Sequence, residues 1–94
     1  MVIFILQMPE ISRFFGIIIG MFAKDHSPPH FHAKYGEFAG IFSIGSGEMI
    51  EGNLPRRAIA LIQDWAELHH EELLANWVEA LKDSPDFKKI APLK

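Results

Sequence analysis

The sequence predicts an α+β fold: a small antiparallel sheet of three to four strands, packed by one long C-terminal amphipathic helix. Two observations predict it. From Ser12 to about Gly52 the chain is a series of β-rich apolar runs bounded by short Gly- and Pro-containing turns. From about Pro55 to Leu81 the apolar residues instead recur at helical spacing. The turns of the first part are too short for crossovers, so its strands pair as an antiparallel meander. Ninety-four residues make one domain, 1–94.

The start, "MVIFILQM", is apolar but short. It lacks a basic leading segment and a small-residue cleavage site, so it is not a signal peptide. No run is long enough to span a membrane, and the expected compartment is the cytoplasm. "SRFFGIIIGMFA", Ser12–Ala23, reads as one central strand, apolar on both faces. Its even positions alternate large and absent side chains: Phe14, Gly16, Ile18, Gly20, Phe22. Glycine weakens a strand, so another group is expected close to the backbone at Gly16 and Gly20. "KDHSPP" then turns the chain, with Pro28 holding Ser27 extended and neither proline able to donate to a ladder.

"HFHAKYG" follows as a second strand. Period two places His30, His32 and Lys34 on one face and Phe31, Ala33 and Tyr35 on the other. "EFAGIFSI" makes a third strand, "GSG" a turn and "EMIEG" a short fourth. In the helix, Pro55 suits the first turn, with Asn53 or Leu54 before it as cap. At about 100° per residue, Ala58, Ile59, Ile62, Trp65, Ala66, Leu73, Trp77 and Ala80 form one stripe, with Asp64, Glu67 and Glu71 opposite. Ser84-Pro85 ends the helix, and the tail "SPDFKKIAPLK" runs extended.

Composition narrows the function classes. With 49% hydrophobic residues and eight Phe, the chain is not disordered. That content exceeds what a modest core absorbs, which points to a self-associating apolar face and a homo-oligomer. The absence of cysteine excludes disulfides, thiolate zinc sites and a Cys nucleophile. A net charge of −3 provides no broad basic field for nucleic acid, although a local patch remains open.

The densest chemistry lies in "DHSPPHFHAKYG", Asp25–Gly36. His30 and His32 project from one strand face, close enough for two imidazoles to share an ion, and Asp25 and His26 in the loop can add ligands. His ligands with a carboxylate and an open position suit zinc or another first-row divalent metal. The competing reading is a solvated face of polar side chains, since H-x-H alone is a weak signal. His69 falls within about 20° of Ile62 on the helix, in the apolar stripe, with Asn76 one heptad later. Such buried polar groups need partners. His69 is either satisfied by a backbone carbonyl or faces a cavity and joins His30 and His32 as a catalytic histidine. The second possibility meets a conflict: if Phe31 and Ala33 face the helix, His30 and His32 face away from His69.

Arg56 and Arg57 occupy the first helical turn, where the macrodipole disfavours cations. Either Glu48 or Glu51 neutralises them, or they bind an anion and, with Arg13, Lys24 and Lys34, form an RNA-contacting patch. There is no G-x-S-x-G, no threonine, and no phosphate-binding glycine loop after a strand.

The segments "MPEISRFFGIIIGMFAKDHSPPHFHAKYGEFAGIFSI", "LPRRAIALIQDWAELHHEELLANW" and "KKIAPL" closely resemble the small prokaryotic proteins grouped as domain-of-unknown-function family 4160. The resemblance runs from about Met8 to Leu93, and its specific part is the D-H-x-P-P-H-F-H run followed by W-x-x-x-H on the helix. It implies a single-domain cytoplasmic protein with no assigned activity. Members are often encoded beside another small protein, which implies a toxin–antitoxin-like pair. The family's histidine positions match His26, His30, His32 and His69, and Asp25, Pro28, Pro29 and Trp65 match as well. Similar members begin at the equivalent of Met8, so residues 1–7 are either an upstream start or an extra strand.

Two functions are therefore expected. The first is a protein-interaction module working through a small partner protein in a two-component pair. The alternative is a metal-assisted or histidine-based hydrolase or ribonuclease using His26, His30 and His32. A DNA-binding regulator ranks last, because no helix-turn-helix is visible and the charge is wrong.

Overall fold

A computed structural model describes residues 8–94, so the expectation for residues 1–7 lies outside the described residues. Five antiparallel strands form one sheet in sequential order: β1 (Glu10–Phe14), β2 (Ile17–Gly20), β3 (His30–Tyr35), β4 (Phe38–Ser43) and β5 (Met49–Gly52). Two helices follow, α1 (Arg56–Leu68) and α2 (His70–Ala80). The α+β class holds, with two differences from the expected three to four strands and single helix.

The first difference is that Ser12–Ala23 is not one strand. It folds into a hairpin whose two-residue turn is Phe15-Gly16, with φ of 49° and 82°. Two positive φ values make a primed turn, whose twist matches that of the strands. Asn-Gly or Asp-Gly usually signals it, and the bulky Phe15 conceals it. The second difference is at His69, whose φ of −117° and ψ of 29° leave the helical region. The ladder continues on both sides, His69 N–H donating to the Trp65 carbonyl and Leu73 N–H to the His69 carbonyl. The helix therefore bends there without coming apart.

The helices cover the face of the sheet that carries Phe31 and Ala33. Trp65 of α1 packs on Phe14 and Phe31, with ring centroids 5.4 and 5.9 Å away, and Phe31 stacks on Phe42. The stripe read from the sequence is largely the buried one: Ala58, Ile62, Trp65, Ala66, Leu73, Trp77 and Ala80. Ile59 is only half-buried. Asn53 does not cap the helix. It pairs with Ala39, donating N–H to its carbonyl and accepting its N–H on Oδ1, while Pro55 takes the cap position.

Gly20 at the end of β2 and Gly16 in the turn both meet the close neighbours expected of them. A Cβ at Gly20 would lie 2.5 Å from the Pro9 carbonyl oxygen and 2.6 Å from Met8 Cγ; one at Gly16 would lie 3.3 Å from the Tyr35 ring. The tail straps the molecule. Ile90 N–H donates to the Ile11 carbonyl, and Trp65 Nε1–H donates to the Ala91 carbonyl. Asn76, fully buried, donates to the Lys88 carbonyl and accepts the Lys88 N–H.

Two outcomes follow from these contacts. Phe15→Asn, which suits the left-handed turn position, is expected to stabilise the fold by about 1 kcal/mol, seen as roughly 4–8 °C in Tm. Asn76→Ala leaves two backbone groups of the strap without their partner. It is expected to cost about 2–3 kcal/mol in urea unfolding.

Candidate functional site

The β2–β3 loop is shaped by prolines and tied at both ends. Lys24, at a left-handed φ of 57°, donates its N–H to the Ala80 carbonyl at the end of α2, and its ammonium pairs with Asp83. At the other end the Pro29 carbonyl accepts the Ile44 N–H. Between these ties Asp25 turns back over the start of β3, and its Oδ1 accepts the His26 N–H.

Asp25 Oδ2 then lies 2.8 Å from His30 Nε2 and 3.1 Å from His32 Nε2. One donor atom from each of the three residues falls within 4.8 Å of the other two. His30 is buried; Asp25 and His32 are half-buried. The other His30 nitrogen, Nδ1, is 2.7 Å from the Pro28 carbonyl oxygen. A carbonyl can only accept, so Nδ1 carries a proton. Both His30 nitrogens thus face acceptors, which a neutral imidazole with one N–H cannot satisfy. A second proton on Nε2, or a cation between Nε2 and the carboxylate, resolves this. Aromatic walls fix both rings: Trp77 lies 5.2 Å from His30, and Phe22 meets the His32 ring edge-on at 4.8 Å.

Burial pushes the Asp25 carboxyl up, but hydrogen bonds from His32, His30 and the His26 N–H outweigh it. The carboxyl is held below the ordinary carboxylate range.

Of the residues singled out in the sequence, Asp25, His30 and His32 come together and the rest do not. His26 is exposed, with its imidazole 3.4 Å from Asp25 Oδ1 and turned to solvent. His69 sits on the helix-covered side, its ring against Trp65 and its Nδ1 bonded to Glu72, rather than to a backbone carbonyl. It does not join His30 and His32, because Trp65 packs on the Phe31 face and strand alternation turns His32 to the other. Arg56 and Arg57 are exposed, and among the described residues neither meets Glu48, Glu51 or any other carboxylate in an ion pair. Arg13 and Lys24 do not extend that pair into a basic patch, being engaged by Glu10 and Asp83. Sequence reasoning missed Phe22, Trp77 and Lys24 as supports. Phe22 was open to discovery, since it follows by two residues the Gly20 that registers opposite His32.

The model of the family described as a domain of unknown function, DUF4160, matches residues 16–78, which hold the whole D-H-S-P-P-H-F-H run and both α1 and most of α2. No curated protein and no solved structure matches the chain. No helix among the described residues is long and apolar enough to cross a membrane.

A carboxyl with a depressed folded value adds stability above its unfolded value of about 3.9, and that addition is lost as the pH falls through the folded value. In metal-stripped protein, Asp25→Asn is therefore expected to remove part of the acid limb of the stability curve below about pH 4. Urea midpoints measured across pH check this.

Proposed function

Since the chain belongs to the DUF4160 family, for which only an unknown function is described, we propose from its site that it binds a first-row divalent metal. Asp25, His30 and His32 form a two-histidine, one-carboxylate ligand set with positions left for water or substrate. The observation that carries this reading is the convergence of three donor atoms on one point, with the far nitrogen of His30 already held by the Pro28 carbonyl. Histidine ligands in metal sites characteristically donate their second N–H in this way. Ligand bonds of 2.0–2.2 Å at tetrahedral angles require donor separations of roughly 3.3 Å. The Asp25–His30 and Asp25–His32 separations of 2.8 and 3.1 Å need a few tenths of an ångström of opening, and one donor atom from each of the three residues lies within 4.8 Å of the others. A bound ion would lower the pKa of its water toward neutrality, giving a metal-assisted hydrolase its nucleophile.

A second reading, the interaction module of a two-component pair, draws support from the exposed Val78 on α2, Leu81 just after it and Leu68 at the end of α1. It accounts for apolar surface but not for the three convergent ligands.

The test is metal content by mass spectrometry on protein whose affinity tag has been removed, with zinc, manganese, nickel and iron supplied in turn. About one ion per chain is expected in the wild type. Asp25→Asn should weaken binding by more than the roughly 10–100-fold typical of an outer-shell change, as should His32→Ala. Nickel bound beside His30 should also quench Trp77 fluorescence. A folded wild type that takes up none of these ions sinks the reading.

A further inference from the structure

The far end of the sheet carries a second feature. β3 runs from His30 to Tyr35, roughly 17 Å at 3.3 Å per residue, so this end is remote from the candidate metal ligands. Three aromatic side chains are exposed there: Phe15 at 61%, Tyr35 at 38% and Phe38 at 38%. Phe15 occupies a left-handed turn position that a bulky residue rarely adopts. Tyr35 leans over the adjacent Gly16. Between Phe15, Tyr35, Ile17 and Leu61 lies a cavity of about 200 Å³, and Arg57 reaches its rim. Arg56, exposed beside it, also makes no ion pair among the described residues.

We propose that this end of the sheet binds a nucleoside phosphate, its base held flat between Phe15 and Tyr35 and its phosphate on Arg57 and Arg56. Several observations converge on that ligand. The cavity is smaller than the usual drug-sized site and admits one ring system. Two of the residues lining it are aromatic, and aromatic rings stack on any base. Arg57, which lines it, has no carboxylate partner among the described residues, nor has its neighbour Arg56, in a chain whose net charge is −3. An anion supplies the missing partner, and planar guanidinium groups suit the paired oxygens of a phosphate. A turn residue chosen for local comfort would be Asn; Phe at that place offers a ring to solvent. The reading does not depend on the metal site.

The ligand can come from a single-stranded nucleic acid or from a free nucleotide, and the experiment separates the two. Binding of a short fluorescein-labelled oligoadenylate is followed by anisotropy at low salt with EDTA present, so that an absent metal does not affect it. AMP serves as competitor. Phe15→Asn and Tyr35→Ala should each weaken binding by roughly 5- to 150-fold, the worth of one stacked base. Phe15→Asn is the safer variant, because it relaxes the turn and preserves the fold. The logarithm of the affinity should fall with the logarithm of salt at a slope near −0.7 for the one phosphate held, and flatten toward zero when Arg56 and Arg57 are both changed to Gln. Competition by AMP identifies a nucleotide pocket, and its absence identifies a strand-binding surface; either supports the proposal. Absence of oligoadenylate binding overturns it. So does binding that ignores all of these substitutions, or an acidic peptide that binds as tightly with the same pattern of losses.

Discussion

Strand β3 imposes the constraint on which the rest of the molecule depends. Its side chains alternate, and six residues serve two different environments at once. Phe31 and Ala33 go into the core beneath the helices, where Phe31 meets Phe42 and Trp65. His32 is thereby turned to the opposite side, toward Phe22, while His30, the first residue of the strand, sits at the margin where both Asp25 of the β2–β3 loop and Trp77 of α2 reach it. A one-residue slip would bury two imidazoles among aromatic rings and expose Phe31 to water. Burying Phe31 thus holds the histidine pair in place. The core sets the site's register without contributing a polar atom to it.

The loop that brings Asp25 to those histidines depends in turn on α2. Helix C-termini leave carbonyls without intrahelical partners. Here the Ala80 carbonyl is satisfied by Lys24, one residue before Asp25, and the Lys24–Asp83 pair doubles the tie. Trp77 of the same helix lies against His30. Two contacts from α2 therefore converge on the two ends of one cluster. The bend at His69 belongs to the same geometry. α1 seats Trp65 over the Phe14–Phe31 part of the sheet, and α2 then carries Trp77 to the His30 margin.

The polar groups buried in the helical stripe divide according to what the tail can reach. Asn76 takes both backbone groups of Lys88, and the Trp65 indole takes the Ala91 carbonyl. The extended tail so becomes an outer layer held by side chains, and it also reaches β1 through Ile90 and Ile11. His69 has no such strap beside it and uses Glu72, one turn along its own helix.

The sequence by itself determined the fold class, the strand faces, the buried stripe of the helices and the membership of Asp25, His30 and His32 in one neighbourhood. These are local properties, written in period two, period 3.6 and an eight-residue span stiffened by prolines. Tertiary structure alone decided the rest. The hairpin at Phe15-Gly16 was hidden because positive φ at a phenylalanine runs against its own propensity and is imposed by strand pairing. The bend at His69 carries no glycine or proline to announce it. His26 was expected beside the cluster on proximity in sequence, and helical phase left His69 open between a satisfied core histidine and a third member of the site. Neither measure tells which way a loop side chain turns or on which side of a sheet a helix lands. Those depend on contacts such as Lys24 with Ala80 and Trp65 with Phe31, made between residues more than thirty positions apart.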